Sequence, residues 1–131
     1  MNKILLFAFA LAVFIAGCFH EPKASLVVKD CGTDEKCFED AAQNCALAKV
    51  TVTSSTGAIT AYEESKGYDG DNCVVYFKVT ASQVPTFADK DMTCKFPKTT
   101  LSGFDAITSF NSQSAFTYCT GSLVEAIRSA G

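Results

Sequence analysis

Cysteine is the residue that most restricts what this chain can become. Six of its seven cysteines, Cys31, Cys37, Cys45, Cys73, Cys94 and Cys119, lie past residue 30, and the seventh, Cys18, closes an apolar N-terminal run. That run follows the secretory pattern: Lys3 gives a positive start, residues 4–16 are apolar throughout, and Ala16 and Gly17 are small. A membrane-spanning helix needs roughly 20 apolar residues, and Glu21, Pro22 and Lys23 end this run too soon. Six cysteines in a small exported domain read as a disulfide framework.

The clearest helix signal is residues 31–45, CGTDEKCFEDAAQNC. Thr33 is suited to the N-cap, Asp34 and Glu35 favour the first turn, and Cys37, Phe38, Ala41, Ala42 and Cys45 share one stripe. Glu35, Lys36, Glu39, Asp40 and Gln43 are expected on the solvent side. Eight helical residues separate Cys37 from Cys45 by ~12 Å along the axis, too far for a bond. Cys31 lies before the cap and Cys37 in the first turn, positions that a hydrophobic staple brings together. A Cys31–Cys37 bond is therefore expected. For the remaining four, Cys45 with Cys73 and Cys94 with Cys119 would tie the helix and the C-terminal segment to a sheet, although spacing leaves their other pairings open.

Strand patterns follow. Residues 49–53 alternate around Val50 and Val52, and residues 58–64 return less regularly after a Ser-Gly turn. GYDGDN, residues 67–72, reads as a turn. Residues 73–81 place Cys73, Val75, Phe77, Val79 and Ala81 on one face, and residues 92–96 do the same with Met92, Cys94 and Phe96. Leu26, Val27 and Val28 could add an edge strand. Leu101, Phe104, Ile107 and Phe110 recur every third residue, weakly helical, and residues 111–114 read as a polar loop. Ser122 and Glu125 form a capping box for a terminal helix that buries Leu123, Ala126, Ile127 and Ala130. The expected fold class is α+β: an N-terminal helix, an antiparallel sheet of about four strands and a C-terminal helix, stapled by disulfides.

Composition excludes several functions. The chain carries a formal charge of −3, and removing residues 1–17 takes away one lysine and no acid. No basic stripe is left for phosphates, so no nucleic-acid partner is expected. The only histidine, His20, sits in the segment after Cys18, where nothing positions a catalytic imidazole. No C-x-x-C redox motif, nucleophile elbow or phosphate-binding glycine loop occurs. Asp69, Asp71, Asn72, Glu63 and Glu64 offer oxygen ligands but lack a calcium loop's spacing, and Asp-Gly is first a hairpin turn. Glu63 and Glu64 are adjacent in a strand, hence on opposite faces, and make a poor glycosidase pair. Catalytic residues, metals and cofactors are expected to be none. Phe87, Phe96, Phe104, Phe110, Phe116 and Tyr118 are core residues, or in part a recognition surface.

Ile15-Ala16-Gly17-Cys18 resembles the lipobox of prokaryotic lipoproteins. The resemblance implies cleavage before Cys18 and a diacylglyceryl thioether on its sulfur, in many bacteria with a further N-acyl chain. Two or more acyl chains anchor stably. Lipidation of Cys18 would also leave an even six cysteines; ordinary secretion with an incidental Cys18 is the alternative. CGTDEKCFEDAAQNC, MTCKF and YCTGSLVEAI together look like small cysteine-rich prokaryotic lipoproteins, which bring no catalytic residue to carry over. The implied organisation is a leader at residues 1–17, a lipidated tether at 18–30 reaching at most ~40 Å, and a cysteine-rich domain at 31–131. The expected role is a non-enzymatic binding or structural module, held in the cell envelope by the lipid on Cys18 and contacting a protein or envelope component. The alternatives are an envelope hydrolase inhibitor presenting GYDGDN or the Pro85 loop, and an enzyme working with carboxylates.

Overall fold

Residues 72–82 form a strand with one fully apolar side, and the fold grows outward from it. The computed structural model describes residues 26–98 and 112–131. The expected leader at residues 1–17, Cys18, His20 and the segment of Leu101, Phe104, Ile107 and Phe110 lie outside the described residues. Strands β3 (Ile59–Asp69) and β4 (Asn72–Ser82) pair antiparallel through a two-residue loop, Gly70 and Asp71. Gly70 has φ +60°, which favours glycine in such a loop. On one side β2 (Ala48–Thr53) pairs antiparallel with β3, and on the other β5 (Asp91–Pro97) pairs antiparallel with β4. Two-residue strands close the edges: β1 (Lys29–Asp30) runs parallel to β2, and β6 (Cys119–Thr120) antiparallel to β5. The six strands stand in sequence order.

Among the described residues, three short helices join them: α1 (Glu35–Ala42), α2 (Ser112–Tyr118) and α3 (Ser122–Ala130). A 3₁₀ turn, Pro85–Phe87, connects β4 to β5. The expected antiparallel sheet of about four strands behind an N-terminal helix is therefore corrected. The sheet is mixed and six-stranded, strands outweigh helices among the described residues, and the described chain enters through β1 before it turns into α1. The reason is that two-residue strands carry no side-chain alternation. They are recruited by backbone groups, as when Lys29 N–H donates to Leu47 O at 3.0 Å and Cys31 N–H to Lys49 O at 2.9 Å. β1 and β2 can run parallel because α1 supplies the crossover that a parallel pair requires. Leu26, Val27 and Val28 precede β1 and are exposed.

Other boundaries also move. The N-cap of α1 is Asp34, not Thr33; its carboxylate accepts from Cys37 N–H at 3.1 Å, a stronger acceptor than a hydroxyl at the positive end of the helix. Residues 112–114, expected in a loop, begin α2. The Ser122–Glu125 capping box is absent because Ser122 Oγ is committed to β5, accepting from Asp91 N–H at 3.1 Å and donating to Asp91 Oδ1 at 3.0 Å. In α3, Val124 is buried and Ala130 exposed, the reverse of the expected stripe at those positions, and Ala81 on β4 is also exposed.

Helices α1, α2 and α3 pack on one sheet face, where Phe38, Ala42, Ala115, Leu123 and Val124 meet Val50, Val75, Phe77, Met92 and Phe96. The bonds are Cys31–Cys37, Cys45–Cys73 and Cys94–Cys119, the three pairs favoured from the sequence. Cys45 sits at φ 51° where α1 ends, with Cys45 N–H donating to Ala42 O at 2.8 Å and Ala46 N–H to Ala41 O at 2.9 Å. That is the Schellman arrangement, which usually takes glycine at this position. Cys94 and Cys119 are direct partners in the β5–β6 register, so their bond holds a strand too short to hold itself. Three disulfides mark an oxidising, extracytoplasmic compartment. Among the described residues, no helix is long and apolar enough to cross a membrane.

Candidate binding cleft

On the helix-covered face, the strand register lines up Val50, Glu63, Phe77 and Met92 across β2, β3, β4 and β5. Three of these are buried apolar residues, and the second is a carboxylate. Glu63 is only partly accessible, and no hydrogen bond or ion pair from the described residues reaches its carboxyl group. Loss of water, and then repulsion by Glu35 and Glu39 on α1, push its pKa up to about 7 from the ordinary 4.5. A proton on this group is thus in play near neutrality.

Glu63 stands in the wall of an open cleft of about 440 Å³, within the usual range of small-molecule sites. Phe38 on α1 and Leu123 and Ile127 on α3 form the helical side, while Val52, Ile59, Phe77 and Val79 form the sheet side. Phe87 of the 3₁₀ turn also lines it, and Thr53 and Ser54 add polar groups near the β2–β3 turn. Glu35 and Glu39 belong to this lining. Glu35 is exposed, as expected, and Glu39 is half-buried; at spacings of three and four both share the flank of α1 with Phe38 and Ala42, which brings them to the cleft. No lysine, arginine or histidine lines the cleft among the described residues.

The opposite sheet face differs in kind because its polar groups satisfy one another. Tyr62 Oη donates to Glu64 Oε2 at 3.2 Å and Tyr76 Oη to Asp91 Oδ2 at 3.3 Å, and the two rings meet edge-on at 6.5 Å. Lys66 Nζ lies 4.9 Å from the Tyr76 ring centre, and Lys49 pairs with Asp30 at 3.1 Å. Burial first, then the neighbouring carboxylates, raises the pKa of both tyrosines. At the hairpin tip, Asp69 and Asp71 are paired with Lys95 at 2.9 Å and Lys98 at 3.6 Å. Those acids neutralise lysines instead of forming a cation site. Among the described residues, no cluster of three or more metal-ligating side chains occurs.

The sequence's other candidates fall in structural places. All six described cysteines are in disulfides. Phe96 is buried and Tyr118 packs on it at 5.5 Å, while Phe116 is partly exposed beneath Arg128 at 5.3 Å. Of the aromatic group, Phe87 reaches the cleft. Cys18, the expected lipid site, lies outside the described residues. Sequence reasoning missed Glu63 as a cleft residue. A signal was present: Glu63 has the same strand parity as Ala61 and Ser65, which puts a charge on the face that β2 and β4 make apolar. No protein-family model matches the chain, and no match was found among curated proteins or solved structures.

Proposed function

We propose that the protein is a lipid-anchored binding module of the cell envelope, and that the cleft between the sheet and helices α1 and α3 is where it holds an envelope component. One observation carries the reading: a largely apolar cleft of about 440 Å³ keeps in its sheet wall a half-buried carboxylate, Glu63, that no side chain among the described residues pairs, with Glu35 and Glu39 on its helical flank. Folding alone gives no reason to retain Glu63, since an aliphatic side chain there would complete the row from Val50 to Met92. The lipobox-like end of the leader supports attachment through Cys18, and the disulfide frame suits an exported domain. A neutral fluorophore such as Nile red should brighten and shift to the blue on the disulfide-bonded protein. Ile127→Trp, which fills the cleft, should abolish the change; a wild-type protein that leaves the dye unaltered sinks the reading. Intact mass of membrane-purified protein tests the anchor: residues 1–17 gone and a diacylglyceryl increment on Cys18 are expected.

A second reading, a carboxylate-based enzyme, draws on the pKa of Glu63 near 7, where a general base works best. Against it, the cleft offers Thr53 and Ser54 near the turn but, among the described residues, no lysine, arginine or histidine to stabilise developing negative charge. Turnover of an ester or glycoside substrate that disappears in Glu63→Gln would favour this reading over binding alone.

A further inference from the structure

We propose that the cleft takes an apolar molecule bearing one cationic amine, with the ammonium against Glu63 and the apolar body between Phe77, Leu123 and Ile127. This rests on the cleft being the binding site and goes on to name the ligand's chemical class. The charges decide it. The ionisable groups that line the cleft are Glu63 from β3 and Glu35 and Glu39 from α1, and its described lining from β2, β4, the 3₁₀ turn and α3 adds none. Of the cations next to lining residues in sequence, Lys36 pairs with Asp40 at 3.1 Å, Arg128 pairs with Glu125 at 2.9 Å and lies over Phe116, and Lys78 has the opposite strand parity to Phe77 and Val79, in register with Tyr62 on the other sheet face. A carboxylated amphiphile would add negative charge to a lining that carries three carboxyl groups and, among the described residues, no counter-ion, whereas an ammonium supplies the missing partner. A bare metal ion fits less well, because no metal-ligating cluster forms among the described residues and most of the lining is apolar.

Glu63 also gives the recognition a pH signature. Its carboxyl is protonated below about pH 7, and an ammonium binds its ionised form, so affinity for the amine should rise with pH through that value. Amine binding at pH 6 should release protons to the buffer.

Three probes of one shape test the class: 2-phenylethylamine, 2-phenylethanol and 3-phenylpropanoate, titrated calorimetrically into the full disulfide-bonded protein at pH 6 and pH 8. The amine should bind at least about tenfold tighter than the alcohol at pH 8, with a smaller advantage at pH 6 and the carboxylate weakest. Glu63→Gln should bring the amine down toward the affinity of the alcohol, and the double variant Glu35→Gln, Glu39→Gln should lower its advantage in part. If the alcohol binds as tightly as the amine and Ile127→Trp blocks it, the cleft stands and the cation assignment is overturned. Tightest binding by the carboxylate overturns the assignment as well. If none of the three binds, both the cleft reading and the assignment fall.

Discussion

At the residue scale, Glu63 turns a sheet register into a pH dependence. The folded protein holds its proton up to about pH 7, and the unfolded chain releases it near 4.5. Between those values the native state binds more protons than the unfolded one, so this group makes stability fall as pH rises across the window and level off above it. The full difference is about 3 kcal/mol. Urea titrations from pH 4.5 to 8 should show that decline in the wild type relative to Glu63→Gln; a difference constant with pH would refute it. Asp30 and Asp69, held below their ordinary range by the Gly32 N–H and by Lys95 respectively, act in the opposite sense and at lower pH, outside this window. Gly121 makes a steric argument. It has φ +132°, and a Cβ there would stand 2.6 Å from Asp91 O and 2.8 Å from Met92 Cα, both main-chain atoms. Gly121→Ala should therefore cost about 3 kcal/mol in urea unfolding, because α3 can meet β5 only without a side chain at this point.

Among the elements, α1 was the most legible because its signals are local: acids at its start and cysteines whose spacing limits which can meet, although the cap falls on Asp34 and not on Thr33. Its C-terminus was not, since Cys45 occupies a left-handed position where glycine is favoured. The cost of about 1 kcal/mol is offset by the bond that residue makes to Cys73. The pair closes a separation of 28 residues, against 6 for Cys31–Cys37. Loop-closure entropy then gives about 3.6 kcal/mol for the first and about 2.2 for the second. Replacing both members by alanine should destabilise in that order, and equal losses would mean that the Cys31–Cys37 bond acts chiefly on the native state. α2 was misread because Ser112, Gln113 and Ser114 carry loop-like chemistry; Ala115 draws them into helix by joining the core cluster. β3 read poorly because Ala61, Glu63 and Ser65 give its core face no hydrophobic alternation. Its place comes from Val50, Val52, Phe77 and Val79 on either side.

For the whole molecule, the three disulfide loops follow one another without overlap. Their entropic contributions therefore add to roughly 9 kcal/mol, comparable with the total stability of a small domain. A reduced and alkylated chain should lose its cooperative thermal transition at neutral pH, whereas a transition within a few degrees of the oxidised protein's would show that the apolar core suffices alone. That core is one-sided. The helices cover one face of the sheet, and the other relies on a tyrosine and carboxylate lattice of exposed or partly buried groups, in which each pair contributes little. A single layer of helices also leaves room between α1 and α3, and that gap is the cleft.

What the sequence determined by itself is whatever local chemistry decides: a disulfide-framed domain, the site of α1 and the alternation of β2, β4 and β5. The pairing of cysteines was partly legible for the same reason, because helix geometry forbids one bond and a capping turn favours another. Tertiary structure alone decided that β1 runs parallel to β2, that two-residue β6 closes the sheet, and that Ser122 serves Asp91 instead of its own helix. It also decided the meaning of Glu63. Parity along β3 assigns that carboxylate to one face, but only the pairing of β2 and β4 against β3, with α1 and α3 above, makes that face apolar and leaves the charge at the wall of a cavity.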